Sequence, residues 1–194
     1  MLFRSNKQPE ITDATREAFV QAYCKLSYGS GGKKFTIKNI TDLAGYNRTT
    51  FYRYFIDVID VNDYLERQMI SEILKNIRLH VIDGAFDNTF YKVFLDVYHK
   101  HKMELTVLIS EEHRTHFIES IKNEIFPMFT KLYKLDESDM RMNYVMTIYL
   151  SGVFSALGKW IENPENMSEE QMLDIIRHLF EKWFISEIQI NSRS

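Results

Sequence analysis

Hydrophobic residues recur every three or four positions through most of the chain, which is the pattern of amphipathic helices. From Thr12 to about Ser27, one apolar face is formed by Ala18, Phe19, Ala22, Tyr23 and Leu26. The glycine-rich stretch Gly29–Gly32 ends this helix. Pro9, Pro127 and Pro164 lie outside or between the periodic segments, where we predict breaks. The pattern as a whole predicts an all-α fold.

A short helix follows the glycines. Thr36 is placed to cap a helix from Ile37 to Leu43, because its hydroxyl can accept a hydrogen bond from an exposed amide of the first turn. We predict that Ile40 and Leu43 face inward. The helix ends at Ala44-Gly45, a pair typical of a tight turn.

A second short helix comes directly after this turn. Asn47 can cap a helix from Arg48 to Tyr54, in which Phe51 and Phe55 lie one turn apart and are predicted to face the core. The side chains left outside are Arg48, Thr49, Tyr52 and Arg53. Two short helices joined in this way form a helix-turn-helix, whose second helix enters the major groove of DNA.

The outward residues have the chemistry that reading DNA requires. Arg48 can donate a bidentate pair of hydrogen bonds to guanine. Thr49 provides a methyl and a hydroxyl group, and Tyr52 provides a ring and a hydroxyl group. Residues better placed for phosphate contact are Thr36, Lys38, Thr50, Arg53 and Tyr54. A solvated helical hairpin with ordinary surface charges is the alternative interpretation.

Charge is unevenly distributed along the chain. The whole sequence has a net charge of −3, but residues 1–57 contain nine Lys and Arg against five Asp and Glu. Such asymmetry favours a polyanionic partner for the N-terminal part. Random variation of surface charge is the other explanation.

The segment Phe35–Phe55 resembles the DNA-binding signature of the TetR/AcrR family of bacterial transcriptional regulators. The matching features are the core positions Ile40 and Leu43, the turn Ala44-Gly45 and the run Thr50–Phe55. The resemblance extends from Thr12 to Phe55. It implies DNA contact by Thr36, Lys38, Asn47, Arg48, Thr49, Thr50, Tyr52, Arg53 and Tyr54. It also implies a DNA-binding domain over residues 1–57 and a helical effector-binding and dimerisation domain over residues 58–194.

One departure from the family concerns the residue three positions after Phe55. Family members usually have a lysine there, which contacts a phosphate, whereas this chain has Val58 between Asp57 and Asp60. We expect weak phosphate contact at this point. The alternative function is therefore a co-regulator of the same fold that acts mainly through a protein partner, with weak or no direct DNA binding.

Two amphipathic helices close the chain. One spans Asp139 to Ile161, and the other begins at the capping box Ser168-Glu169-Glu170-Gln171 and keeps helical spacing without a miss to Phe184. They form either an internal core or, as the resemblance implies, a two-fold dimer interface on a palindromic operator. The predicted interface residues are Tyr149, Gly152, Val153, Ala156, Trp160, Ile176, Leu179, Phe180 and Trp183.

The remaining features bear on ligands and chemistry. The resemblance implies a small-molecule effector, and aromatic and methionine residues between 91 and 129 suit an apolar one. His113 and His116 lack the spacing of known zinc motifs, so we predict no metal site and no cofactor. Enzyme motifs are absent from the sequence, and Cys24 has no specified base nearby, so we predict no catalytic activity.

Cellular location follows from composition. No apolar run is long enough to span a membrane, and the charged N-terminus is unlike a signal peptide. The single cysteine, Cys24, suits a core position in a reducing compartment. We therefore predict a cytoplasmic, homodimeric TetR-type repressor that binds a palindromic DNA operator and responds to a small-molecule effector.

Overall fold

The computed structural model describes residues 9–29, 34–80, 96–136, 138–162 and 167–187, and all regular structure in these ranges is helical. The helices are α1 (Pro9–Gly29), α2 (Ile37–Ala44), α3 (Arg48–Phe51), α4 (Val58–His80), α5 (Lys102–Leu108), α6 (Arg114–Tyr133), α7 (Met140–Glu162) and α8 (Glu169–His178). Residues 96–100 are also helical, and a π-helical turn, Leu179–Phe184, follows α8. The all-α prediction is confirmed.

The chain divides into two compact units, Met1–Gln68 and Met69–Ser194, which we call the N-terminal unit and the C-terminal unit. The division falls inside α4, so this helix contributes residues to both units. The domain boundary predicted after Asp57 separates residues expected to contact DNA from the rest of the chain. That boundary stays a prediction.

An aromatic core holds the N-terminal unit together. Phe19 of α1 is fully buried, and its ring lies 5.3 Å from Phe51 and 6.4 Å from Phe55. A buried hydrogen bond of 2.9 Å from the Tyr23 hydroxyl to Asn62 Oδ1 joins α1 to α4. These contacts fix α3 and the start of α4 on the long first helix.

One predicted core position of this unit is wrong. Leu43 is 51% exposed, whereas Ile40 and Thr41 are buried. The face of α2 that packs against α1 is formed by Ile37, Ile40, Thr41 and Ala44, at the spacing i, i+3, i+4 and i+7, and Leu43 lies beside that face.

The C-terminal unit has its own aromatic core where α6, α7 and the π-helical turn meet. Phe184 is fully buried, and its ring lies 4.7 Å from Tyr149 and 5.5 Å from Phe129. Burial raises the pKa of the Tyr149 hydroxyl, because the charged phenolate would lose its hydration there. These contacts bury the aromatic side chains of the last helical segment against α6 and α7.

The last predicted helix does not continue in α form to Phe184. Its buried residues Met172, Ile176, Phe180 and Phe184 are spaced four apart. Four residues of an α-helix advance about 40° beyond one turn, so such a row drifts around the helix. The wider π-helical turn at Leu179–Phe184 offsets this drift and keeps Phe180 and Phe184 on the inner face.

Two prolines predicted to lie outside helices are within them. Pro9 is the first residue of α1, where a missing amide hydrogen leaves no bond unmade. Pro127 lies inside α6 on its exposed side, where water can bind the carbonyl of Asn123 that loses its usual donor. Pro164 falls outside the described residues.

Candidate nucleic-acid interface

The start of α2 is fixed by a reciprocal pair of hydrogen bonds. The Asn39 N–H donates to Thr36 Oγ1 over 3.4 Å, and the Thr36 N–H donates to Asn39 Oδ1 over 2.9 Å. The predicted cap at Thr36 is thereby confirmed. The Thr36 hydroxyl also donates to Asn39 Oδ1 over 2.8 Å, so its proton is already bound within the protein. At the other end, Gly45 has a φ of 76°, which permits the tight turn into α3.

Asn47 caps α3, as predicted from the sequence. Its Oδ1 accepts the Thr50 N–H over 2.8 Å and the Thr50 hydroxyl over 3.1 Å. The α-helix ends at Phe51, earlier than the predicted end at Tyr54, because the Arg53 and Tyr54 amides bond to carbonyls three residues back. We call residues 47–54 the recognition segment.

The recognition segment separates buried from exposed side chains as predicted. Phe51 and the following Phe55 are buried. The exposed side chains of the predicted DNA-contact set are Lys38, Asn47, Arg48, Thr49, Tyr52 and Arg53, together with Thr36, while Thr50 and Tyr54 are half-buried. The structure therefore brings all nine predicted residues onto two consecutive short helices and their flanking turns.

The three cations of this set, Lys38, Arg48 and Arg53, have no carboxylate within ion-pair distance among the residues the structure describes. Some cations of the C-terminal unit are paired, by contrast: Lys100 lies 2.7 Å from Glu72, and Arg141 lies 2.6 Å from Glu187. The bond from Lys100 lowers the pKa of the Glu72 carboxyl, because it stabilises the ionised form. An exposed, unpaired cation is free to neutralise an external anion without first breaking a bond.

The start of α4 has the opposite character. Asp57 Oδ1 accepts the Asp60 N–H over 2.9 Å, and Asp60 Oδ2 accepts the Ile56 N–H over 2.9 Å. The N-terminus of a helix often binds phosphate through its free amides. At the N-terminus of α4, two amides are already occupied by the chain's own carboxylates. Ile56 and Ile59 beside them are exposed, and Val58 is half-buried.

The nine residues of the predicted dimer interface do not share one environment. Tyr149, Val153, Ile176 and Phe180 are buried within the chain. Gly152 and Leu179 are exposed, and Ala156, Trp160 and Trp183 are half-buried. The Trp160 indole N–H donates to the Met167 carbonyl over 2.8 Å. The interface at these helices stays a prediction, and the four buried side chains serve the protomer's own core.

The same helices also carry apolar side chains that face solvent. Tyr144 is 62% exposed and Ile148 is 59% exposed on α7. We call the set Met140, Tyr144, Ile148, Ile175 and Leu179 the exposed apolar face. Met140, Tyr144 and Ile148 are spaced four residues apart, which is compatible with one helix face. The buried residues of α7 also follow helical spacing, so the sequence alone does not show which set is exposed.

The residues expected to bind an effector lie only partly within the described ranges. The candidate pocket residues Tyr91 and Phe94 lie outside the described residues, and Tyr98, Phe117 and Phe129 are buried. Within the described ranges, no three His, Cys, Asp or Glu side chains are grouped so as to hold a metal ion. The same ranges contain no helix both long enough and apolar enough to span a bilayer.

Comparison with known proteins supplies the family. The TetR-family model for the C-terminal region of transcriptional regulators matches residues 86–182, which is half of the chain. No curated protein sequence matches the chain. Among solved structures, it is similar to the fatty acid degradation regulator FadR from Bacillus halodurans, with 16% identity and a TM-score of 0.61 over 90% of this chain and 96% of that chain.

A second structure shows the same fold. The dihydroxyacetone kinase operon activator DhaS is 12% identical, with a TM-score of 0.59 over 91% of this chain and 97% of that chain. The structural likenesses span both units, and the family model covers the region that the helix-turn-helix signature does not. The chain belongs to the TetR family of transcriptional regulators.

Proposed function

We propose that this protein is a homodimeric repressor that binds a palindromic DNA operator, acts in the cytoplasm, has no catalytic activity and releases DNA in response to a small-molecule effector. Membership of a regulator family supports a role in transcription. One observation carries the proposal of direct DNA binding: Lys38, Arg48 and Arg53 are exposed and unpaired on a helix-turn-helix whose two helices are capped by their own side chains.

Base reading is assigned to the outer side chains of the recognition segment. Arg48 lies in the first turn of α3, where a guanidinium can donate two hydrogen bonds to a guanine. Thr49 and Tyr52 are exposed beside it and supply apolar and hydroxyl contacts. Lys38 and Arg53 bind phosphates and thereby fix the position of the segment on the duplex.

Three other predicted DNA contacts have a second role. Thr36, Asn47 and Thr50 already bond within the protein to hold the helix starts. Their contribution to DNA binding is therefore mainly to aim backbone amides and neighbouring side chains. Asn47 retains its Nδ2 group for a phosphate, because the cap uses only Oδ1.

Dimerisation is assigned to α7 and α8. The exposed apolar face on α7, α8 and the following turn supports the proposal, because exposed apolar side chains favour burial against a second copy. Two copies related by a two-fold axis present two recognition segments to inverted half-sites. The effector is assigned to the C-terminal unit, whose buried aromatic side chains suit an apolar molecule.

Selection from a random duplex library tests this function. The purified protein is used to retain duplexes at a low and a moderate salt concentration, and the bound fraction is sequenced. The matched control carries Arg48→Ala and Tyr52→Ala, two exposed positions outside the buried core of Phe19, Phe51 and Phe55. A palindrome enriched by the parent and not by the control is expected. Equal enrichment by both proteins, or none by either at low salt, would contradict it.

Single substitutions separate base reading from phosphate binding. Arg48→Ala should cost about 1–3 kcal/mol per half-site and relax base preference at one position, whereas Lys38→Ala should weaken all sequences and reduce the salt slope by about 1 per protomer. Fluorescence anisotropy with the selected duplex and a scrambled one measures both effects. If the two variants bind like the parent, the recognition segment is misassigned.

A second candidate function is a co-regulator that contacts DNA through a protein partner. The start of α4 favours it, because Asp57 and Asp60 occupy the amides there and Ile56 and Ile59 are exposed beside them. Direct phosphate binding weakens steeply with salt, whereas a complex through apolar side chains does not. The salt dependence of assembly on DNA therefore separates the two functions.

Val58→Lys should restore the phosphate contact that the family usually makes at this position. The expected result is tighter DNA binding at low salt and a salt slope steeper by about 0.9 per protomer, because one more phosphate is neutralised. Val58→Met, which adds length without charge, is the control. An unchanged slope would show that the start of α4 does not approach the DNA backbone.

A further inference from the structure

Arg16 of α1 joins three elements of the N-terminal unit. Its guanidinium carbon lies 5.7 Å from the ring centre of Tyr54 and 5.3 Å from that of Tyr64. Both distances are within the range at which an aromatic ring attracts a cation. Tyr54 ends the recognition segment, and Tyr64 belongs to α4, so one side chain links the segment to two helices.

Each of the two rings is also anchored to the core. The Tyr54 ring lies 6.2 Å from Phe19, and the Tyr64 ring lies 5.7 Å from Phe55. The Tyr64 hydroxyl accepts a hydrogen bond of 2.8 Å from Gln68 Nε2. Tyr64 is therefore held from several sides, whereas Tyr54 follows a short α3 and a series of turns. The Arg16 guanidinium therefore lies between a ring with several anchoring contacts and a ring at the end of a segment of turns.

The guanidinium itself is poorly placed to act as a phosphate ligand. Its Nη1 lies 3.4 Å from Asp13 Oδ1, and its side chain is only 31% exposed. A phosphate at this group would have to approach a cation already shared between a carboxylate and two rings. This distinguishes Arg16 from Lys38, Arg48 and Arg53, which are exposed and unpaired.

We propose that Arg16 is a positioning residue for DNA binding, which holds Tyr54 and the end of the recognition segment in the conformation that contacts DNA. The inference rests on the proposed function. The affinity for DNA then depends on a side chain that neither reads a base nor neutralises a phosphate.

The test compares Arg16→Met with Arg67→Met, because Arg67 is an exposed arginine on α4 of the same unit and the two variants lose the same charge. Binding to a fluorescein-labelled duplex pool of random sequence is measured over a series of salt concentrations, with thermal unfolding as the check on fold. Arg16→Met should weaken binding about three- to tenfold with an unchanged salt slope, and Arg16→Lys should regain part of the loss because it keeps the charge but not the planar group.

Each other result overturns the inference in a recognisable way. A slope reduced by about 0.9 per protomer would make Arg16 a direct phosphate ligand. Equal weakening of DNA binding by Arg67→Met would show that the effect comes from the overall charge of the N-terminal unit. Unchanged affinity with a lower unfolding temperature would leave Arg16 a structural role only. Absence of binding by the parent at every salt concentration would overturn the proposed function as well, whereas binding by the parent with unchanged affinity of Arg16→Met would overturn the role of Arg16 alone.

Discussion

A protein carrying Tyr144→Asp and Ile148→Asp should be a folded monomer that no longer retains a palindromic duplex. Both side chains lie on the exposed apolar face of α7, so the substitutions leave the protomer's own core intact. Four carboxylates across a two-fold interface would lose hydration and repel each other. Because two linked half-site contacts bind far more tightly than one, we expect DNA affinity to fall by about 100-fold or more.

Analytical ultracentrifugation gives the mass in solution, and anisotropy with the selected duplex gives the affinity. The matched control carries Thr115→Asp and Asn123→Asp, which add the same charge at exposed positions of α6. A control that remains dimeric, beside a monomeric variant, would place the interface on α7. If the Tyr144→Asp and Ile148→Asp protein stays dimeric, the exposed apolar face is not where two copies meet.

Phe51→Ala should unfold the N-terminal unit while leaving the C-terminal unit folded. Phe51 is fully buried, and its ring lies 5.3 Å from Phe19 and 5.7 Å from Phe55. Truncation of a buried aromatic residue costs about 3–5 kcal/mol, which is a large part of the stability of a small unit. Loss of this core releases α3, so DNA binding should disappear.

The adjacent residue provides the control for this experiment. Tyr52→Ala removes a half-exposed ring that lies 5.7 Å from the Phe51 ring, so stability should fall by about 1 kcal/mol, much less than for Phe51→Ala, while base reading is impaired. Circular dichroism follows all helices, whereas tryptophan fluorescence follows only the C-terminal unit, which contains both Trp160 and Trp183. If the circular dichroism and the tryptophan fluorescence of Phe51→Ala both report unfolding, the two units do not unfold separately.

Local hydrogen bonding explains why the helix starts were predictable. Thr36, Asn47 and Ser168 each cap a helix through a residue three positions away, so the whole interaction is visible in a few letters of sequence. The burial of Phe51 and Phe55 was equally predictable, because helical spacing places them together. These local features are sufficient to define the helix-turn-helix.

Features that depend on neighbouring elements were not predictable. Leu43 is as apolar as Ile40, and only the direction from which α1 packs decides which of the two is buried. The π-helical turn at Leu179 depends on Phe180 and Phe184 both reaching Tyr149. Pro127 lies within α6 because the proline is on the exposed side of the helix, where water can bind the carbonyl left without its usual donor.

The predicted interface shows the same limit. α7 has apolar residues on more than one face, so a stripe through Tyr149 and Val153 identifies a contact surface but not its occupant. The structure places this stripe in the protomer's core and leaves Tyr144 and Ile148 outside. Sequence periodicity cannot separate these surfaces, because both obey helical spacing.

The internal bonding of the recognition segment has a consequence for how regulators of this kind diverge. Asn47, Thr50 and Phe51 hold the segment in shape, whereas Arg48 and Thr49 project from it and make no side-chain hydrogen bond or ion pair within the described part of the chain. Exposed side chains of the second kind can be exchanged with little loss of stability. Duplicated copies of such a gene can therefore acquire new target sequences through a few substitutions, without an intermediate that fails to fold.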